Sequence, residues 1–218
     1  MAIIGIFGGS FDPIHFGHLR IAEEFADAFG LSCLHLIPTS QPPHRQQAST
    51  SDADRLAMVA LAVADNPRLR VDDRELRRGR TCYTIDTLTE MRAELAADSR
   101  LVWLIGADSF LNLDRWHRWE SLFDLAGLAV ACRPGFDLDR WQEQASPALT
   151  RQVLPRIQSL SVTKPGEAGT ITLLPTTPLA ISSTAIRARL AAGQSARYLA
   201  PAAVLDYAER RSLYRTPP

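Results

Sequence analysis

Lysine is almost missing from this chain. Lys164 is the only one in 218 residues, so nearly all of the 24 basic charges are arginine. A P-loop, a Schiff-base lysine or a kinase-type lysine clamp is excluded wherever it needs a lysine elsewhere, and anionic ligands must be met by arginine, histidine or backbone N–H groups. Net charge is missing too, since 24 acidic residues cancel the basic ones. That argues against a protein that holds long nucleic acid by bulk attraction to phosphates. Cysteine is scarce: Cys33, Cys82 and Cys132 are odd in number and far apart, the usage of reduced thiols rather than of a disulfide framework or a zinc site. No apolar run approaches the ~20 residues of a membrane span, and the N-terminus lacks the basic-then-apolar layout of a signal peptide. The expected setting is cytoplasmic, with neither a membrane nor a nucleic-acid partner.

What remains is an ordinary globular composition, 46% hydrophobic and 22% charged, in a length that suits one domain over residues 1–218. Short apolar runs at 2–7, 33–38, 69–73, 101–106, 128–133 and 171–175 have strand length. Between them, apolar residues recur at helical spacing: Leu19, Ala22, Phe25, Ala26 and Phe29; Leu56, Val59, Ala60 and Val63; Ile85, Leu88, Met91 and Leu95. Strand alternating with helix predicts an α/β fold, a doubly wound parallel sheet with helices on both faces, and residues 182–218 read as a mainly helical C-terminal part. Ser51 followed by Asp54 resembles a capping box, and Thr84 is placed to cap the helix after it. The pattern weakens from Pro134 to Gly169, with one helix expected near 137–145. The proline-bearing stretch 39–52 is long for a strand-to-helix connection, and loops of that length are usually functional or disordered.

Directly after the first strand comes "GGSFDPIHFGHL", residues 8 to 19. A glycine turn between the carboxyl end of a strand and the start of a helix is a ready anion site, because backbone approaches closely where Gly8 and Gly9 carry no side chain. His15 and His18 are expected on one face of the first helical turn, both rings aimed into one pocket. Phe7 and Ser10 stand where G-x-G-x-x-G, begun at Gly5, requires glycines, so the dinucleotide fingerprint is absent. A metal pair is conceivable, but helical zinc ligands favour i, i+4 and no third ligand stands nearby in sequence. The bland alternative is one capping and one packing histidine. Asp108 sits just past the fourth strand, where open α/β sheets bind ligands, or it caps the next short helix. Trp116 and Trp119 suit packing, Ser182 and Ser183 suit capping or phosphate binding, Arg189 reads as a surface charge, and "RELRRGR" (74–80) as a solvated basic cluster.

The opening stretch resembles the H-x-G-H signature of the nucleotidyltransferase superfamily, and "ISSTAIR" (181–187) resembles its second signature, I-S-S-T-x-I-R. Between them, "PPHR" (42–45), "CYTIDTL" (82–88) and "GADSFLNLDRWHRW" (106–119) are similar to the bacterial nicotinate mononucleotide adenylyltransferases. The resemblance implies a Rossmann-like fold and adenylyl transfer from ATP to nicotinate mononucleotide, with Mg2+ carried on the ATP phosphates and no protein metal ligand. It implies catalytic roles for His15, His18 and Arg187. It further implies ATP contacts from Gly8, Gly9, Ser10, Phe11, Gly106, Asp108, Ile181, Ser182 and Ser183, and mononucleotide contacts from His44, Arg45, Thr84, Trp116 and His117, with Trp116 stacking on the pyridine ring. Two alternatives stay open. The phosphopantetheine adenylyltransferases share the first motif but are shorter and lack the tryptophan segment, and a regulator that kept the fold but lost turnover is expected to have damaged a phosphate motif, whereas both are intact.

Overall fold

The computed structural model describes residues 2–40, 50–132, 140–159, 166–177 and 179–215. Strands β1 (Ile3–Gly9), β2 (Cys33–Pro38), β3 (Leu69–Val71), β4 (Arg100–Gly106), β5 (Gly127–Cys132) and β6 (Ile171–Pro175) form one sheet in the order β3-β2-β1-β4-β5-β6. Every neighbouring pair is parallel. All six predicted runs are strands, although the third stops at Val71, because Asp72 and Asp73 leave the ladder to introduce a short helix.

The helices are α1 (Phe16–Phe29), α2 (Asp52–Val63), α3 (Arg74–Arg78), α4 (Thr84–Glu94), α5 (Ala107–Phe110), α6 (Leu122–Leu125), α7 (Pro147–Val153), α8 (Ser183–Ala191) and α9 (Ala202–Arg210). Alternation along the strands divides the core into two layers. Leu34, Leu36, Val102, Leu104, Ala129 and Ala131 pack with α1, α2, α8 and α9. Cys33, Ile37, Leu101, Trp103, Ile105, Leu128 and Val130 pack with α4 to α7. The inner strands β2, β1, β4 and β5 are covered on both sides, which is why their sequences are largely apolar, whereas the edge strand β3 carries an exposed Arg70. The three cysteines are buried and reduced.

Local chemistry sets the helix ends. Ser51 caps α2 by accepting from the Asp54 N–H at 3.1 Å, as its spacing predicts, and Gly30 ends α1 in the left-handed conformation at φ +58°. Thr84 is not a cap: it is the first residue of α4, Tyr83 is the N-cap, and no side chain caps that end. Of the helix expected at 137–145, residues 137–139 lie outside the described ones, and Trp141–Glu143 is a single 3₁₀ turn that buries Trp141 against Phe110. The regular helix of this region is α7, started by Ser146 and Pro147.

Strand order reverses at β1, which lies between β2 and β4. Chain connections leave this point in opposite directions, so a crevice opens outside the carboxyl ends of β1 and β4. The glycine turn ends β1 and Gly106 ends β4.

Candidate functional site

A cavity of about 530 Å³ occupies that crevice, and Gly8, Gly9, Ser10, Phe11 and His18 form its wall on the β1 side. His15 is not in the first helical turn but at its N-cap, with extended backbone, its carbonyl accepting from the His18 N–H at 2.9 Å. Its ring lies over Gly17 and stacks on His18, centroids 3.7 Å apart and planes 23° apart. The expectation that both imidazoles enter one pocket is therefore corrected: His18 lines the cavity, and His15, 2% exposed, backs it. Phe7 and Phe11 flank the His18 ring at 6.1 and 5.2 Å. A ring held on three sides has few rotamers left, so its position is set before a ligand arrives.

The second signature docks onto the first across more than 160 residues of sequence. Ser182 caps α8, accepting from the Ala185 N–H at 3.1 Å. Ser183 Oγ donates to the Pro13 carbonyl at 2.9 Å, and Arg187 Nη1 donates to the Asp12 carbonyl at 2.7 Å. Ser183 and Arg187 thus brace the turn, and with Ile181 and Ser182 they stand outside the cavity lining. Asp12, 3% exposed, accepts on Oδ1 from Thr50 at 2.7 Å and from Tyr214 at 2.8 Å. Burial together with this carboxylate pushes the Tyr214 phenol well above its ordinary range. Arg189 is exposed, as expected, and donates to the Ser195 carbonyl.

The opposite wall is built by α4 and the segment after α5. Gly106, Asp108, Thr84, Trp116 and His117 all line the cavity. Asp108 is exposed in α5 and does not cap it, since Gly106 is the N-cap. Trp116 packs on Trp103 at 5.2 Å, and His117 lies over Tyr83 at 4.5 Å. Trp119 packs on Phe123. Thr84 and Ile85 present their N–H groups at the open end of α4, while those of Asp86 and Thr87 bond the Tyr83 carbonyl. His44 and Arg45, with most of the stretch 39–52, lie outside the described residues.

Sequence reasoning missed Glu75 and Thr87 in the cavity wall, and it misread the cluster around them. "RELRRGR" is solvated only in part: Arg77 and Arg80 are exposed, but Arg74, 7% exposed, pairs with Asp72 and Glu94 at 2.9 Å each, and Arg78 pairs with Glu90. Burial works against the Asp72 carboxylate, yet hydrogen bonds from His35 and Arg74 hold it well below the usual range. Thr87 donates to Glu75 Oε1 at 2.7 Å and accepts from Arg78 at 2.9 Å. Burial pushes the Glu75 carboxyl up. Arg55 was also missed; it is fully buried behind the turn. Among the described residues, no three histidine, cysteine or acidic side chains gather as a metal site, and no helix is long and apolar enough to cross a membrane.

Residues 6–189 match the family model of cytidylyltransferase-like proteins. The chain is 50% identical over 214 residues, 98% of each protein, to one of Pseudomonas aeruginosa (strain UCBPP-PA14) named probable nicotinate-nucleotide adenylyltransferase. It is 47% identical over 216 residues, again 98% of each, to one of the same name from Aeromonas salmonicida (strain A449). Its fold matches that of Plasmodium falciparum nicotinic acid mononucleotide adenylyltransferase complexed with NaAD, with a TM-score of 0.74 and 17% identity over 98% of both chains.

Proposed function

The chain belongs to the cytidylyltransferase-like family, among its nicotinate-nucleotide adenylyltransferases, and on that premise we propose how its residues divide the work of adenylyl transfer from ATP to nicotinate mononucleotide. An oxygen of the mononucleotide phosphate attacks the α-phosphorus of ATP, the bond to the bridging oxygen breaks, and pyrophosphate leaves with that electron pair. The product is deamido-NAD. Such a displacement needs little covalent help from protein, so positioning and charge stabilisation supply the rate.

The triphosphate lies over the turn from Gly8 to Phe11, where backbone N–H groups and the His18 ring meet its charge. His15 holds His18 in place from behind. Arg187 spends Nη1 on the Asp12 carbonyl, and its Nη2 also donates to Thr184 Oγ1 at 3.3 Å; the N–H groups that these two bonds leave over meet the departing pyrophosphate, framed by Ile181, Ser182 and Ser183. Gly106 and Asp108, at the end of β4, take the nucleoside of ATP. On the other wall the pyridine ring stacks on Trp116, and its carboxylate meets the Thr84 and Ile85 N–H groups with His117 beside it. His44 and Arg45 keep the mononucleotide phosphate role that their motif implies. Mg2+ fits this site as an ion carried on the triphosphate, since oxygen ligands from phosphate and water need no protein cage; when bound, it neutralises charge on the phosphate oxygens.

The observation that carries this reading is the single cavity that joins the glycine turn and His18 to the start of α4 and Trp116. It brings an anion seat and an aromatic seat into one space. The test is pyrophosphate release with ATP, Mg2+ and one of three acceptors: nicotinate mononucleotide, nicotinamide mononucleotide or phosphopantetheine. Release with the nicotinate substrate is expected to be fastest. The neutral amide sets its NH2 donors against the donors of α4, so kcat/KM for it should be lower by about a hundredfold. A ratio near one refutes the placement of the carboxylate, efficient use of phosphopantetheine reassigns the acceptor, and no release with any acceptor points to a binding protein without turnover.

A further inference from the structure

Behind the turn that seats the triphosphate stands a cation with no part in the chemistry described so far. Arg55, on α2, is 0% exposed. Its Nη1 donates to the Ser10 carbonyl at 2.7 Å and its Nη2 to Asp52 Oδ1 at 2.5 Å. Asp52 also accepts from Ser40 Oγ at 2.9 Å. Burying a guanidinium is expensive unless its charge is well matched. Here the ion-pair partner among the described residues is one carboxylate that is itself 44% exposed. A methionine would fill similar space without that cost, so stability alone gives no reason for arginine at this position.

The geometry of the next peptide gives a reason. The Ser10–Phe11 bond is trans, and in a planar trans peptide the carbonyl and the N–H point in opposite directions. With the Ser10 oxygen drawn to Arg55, the Phe11 N–H is turned away from α2, on a turn whose Ser10 and Phe11 line the cavity. No hydrogen bond within the described residues takes up that N–H. Phe11 itself stands at φ +46°, a left-handed conformation that aromatic residues seldom adopt and that persists only where the surroundings impose it. Its buried ring is fixed by Phe7 at 5.5 Å and by His18 at 5.2 Å, and Arg55 fixes the peptide before it.

We propose that Arg55 is a positioning residue of adenylyl transfer: by holding the Ser10 carbonyl inward, it presents the Phe11 N–H to a triphosphate oxygen. This rests on the adenylyl-transfer reading only in taking the turn as the seat of the triphosphate. The test uses the full chain labelled with 15N-phenylalanine, eight residues of which Phe11 is one, titrated with a non-hydrolysable ATP analogue. In wild type the Phe11 amide proton should shift downfield as the analogue binds, and in Arg55→Met it should not. Steady-state kinetics should show the KM for ATP raised about tenfold in Arg55→Met, with the KM for nicotinate mononucleotide within about threefold of wild type. Arg55→Lys should recover part of the loss, since an ammonium reaches one of the two acceptors. A Phe11 amide that responds equally in wild type and variant overturns the proposal. So does a loss of kcat that merely follows the folded fraction while both KM values stay put. If Arg55→Met does not fold, Asp52→Asn at the half-exposed partner is read in the same way, and unchanged ATP affinity with an unchanged Phe11 response overturns the proposal. Wild type that makes deamido-NAD without any Phe11 response refutes this inference alone, whereas wild type that makes none refutes the functional reading.

Discussion

Adding one methyl group at Gly17 tests whether the histidine stack is the working part of the site. A Cβ at this position would stand 3.0 Å from both Cε1 and Nδ1 of His15 and 3.5 Å from the Ile181 carbonyl oxygen. Carbon contacts relax near 3.5–4.0 Å, so the His15 ring must retreat by roughly 0.5 Å. It has no empty side to retreat into, being 2% exposed and stacked on His18 at 3.7 Å. The displacement therefore passes to His18, whose ring Phe7 and Phe11 confine on its other flank.

Two magnitudes then part company. Overpacking costs about 1–3 kcal/mol, while alanine in place of a helical glycine returns about 1 kcal/mol. The net loss of stability is roughly 0–2 kcal/mol, or at most about 8 °C in Tm for a chain of this size. For the reaction, a misplacement of order 1 Å costs about a hundredfold, so half of that costs roughly tenfold in kcat. Thermal melting and pyrophosphate-coupled kinetics on Gly17→Ala read the two effects separately. A kcat within about threefold of wild type, in a protein whose melting shows that the methyl group was accommodated, would refute the claim that His15 transmits position to His18.

Removing the donor itself should cost more: His18→Ala is expected to keep the fold but lose roughly 3 kcal/mol of transition-state stabilisation, about a hundredfold in turnover, and a loss under threefold would sink it. Trp116→Ala should weaken nicotinate and nicotinamide mononucleotides by similar factors, because stacking is blind to the substituent; a collapse of the acid-to-amide ratio would show that Trp116 contributes to that choice. Glu75→Gln concerns stability and pH. Burial raises the Glu75 carboxyl in the folded state, so its contribution is fully present below the unfolded value of about 4.3 and is lost as pH rises through the raised folded value. Glutamine keeps an acceptor for Thr87 and carries no charge, so the variant should gain in Tm over wild type at pH 8 and not at pH 4. An equal difference at both pH values contradicts this.

The sheet was legible because its inner strands are buried on both faces, so each reads as a block of apolar residues with polar punctuation. The anion seat was legible for a different reason: Gly8 to Phe11, His15 and His18 are close in sequence, and their residue types state their chemistry. Less could be read where a structure depends on distant charges. Four of the five residues of α3 are charged, broken only by Leu76, which as a pattern looks solvated. Arg74 is buried because Asp72 and Glu94 meet it, and Glu75 because Thr87 does. Those partners are named by no local spacing.

Helix α2 shows how such a misreading arises and what it conceals. The period through Leu56, Val59, Ala60 and Val63 has the right repeat but a shifted phase: Val59 and Val63 are buried as expected, Ala60 is exposed, and the buried face extends instead to Asp54, Arg55 and Met58. One residue of phase is 100° of rotation, enough to turn Arg55 from the solvent side to the core. A hydrophobicity pattern cannot make that choice, because it scores Asp54 and Arg55 as polar wherever they point. Their burial is licensed from far away: Tyr207 and Arg211 of the C-terminal region bond Asp54 at 2.9 and 3.0 Å, and the Ser10 carbonyl receives Arg55. The same region sends Tyr214 to Asp12, beside Thr50 at the entry to α2. Ligand-facing groups can be recognised by type because they must meet an outside molecule, whereas the groups that aim them face inward and are recognised only by their partners. Where a helical period demands an apolar residue and the fold buries an arginine instead, the mismatch marks a contact that hydrophobic packing does not explain. In this chain that contact lands on the peptide before Phe11.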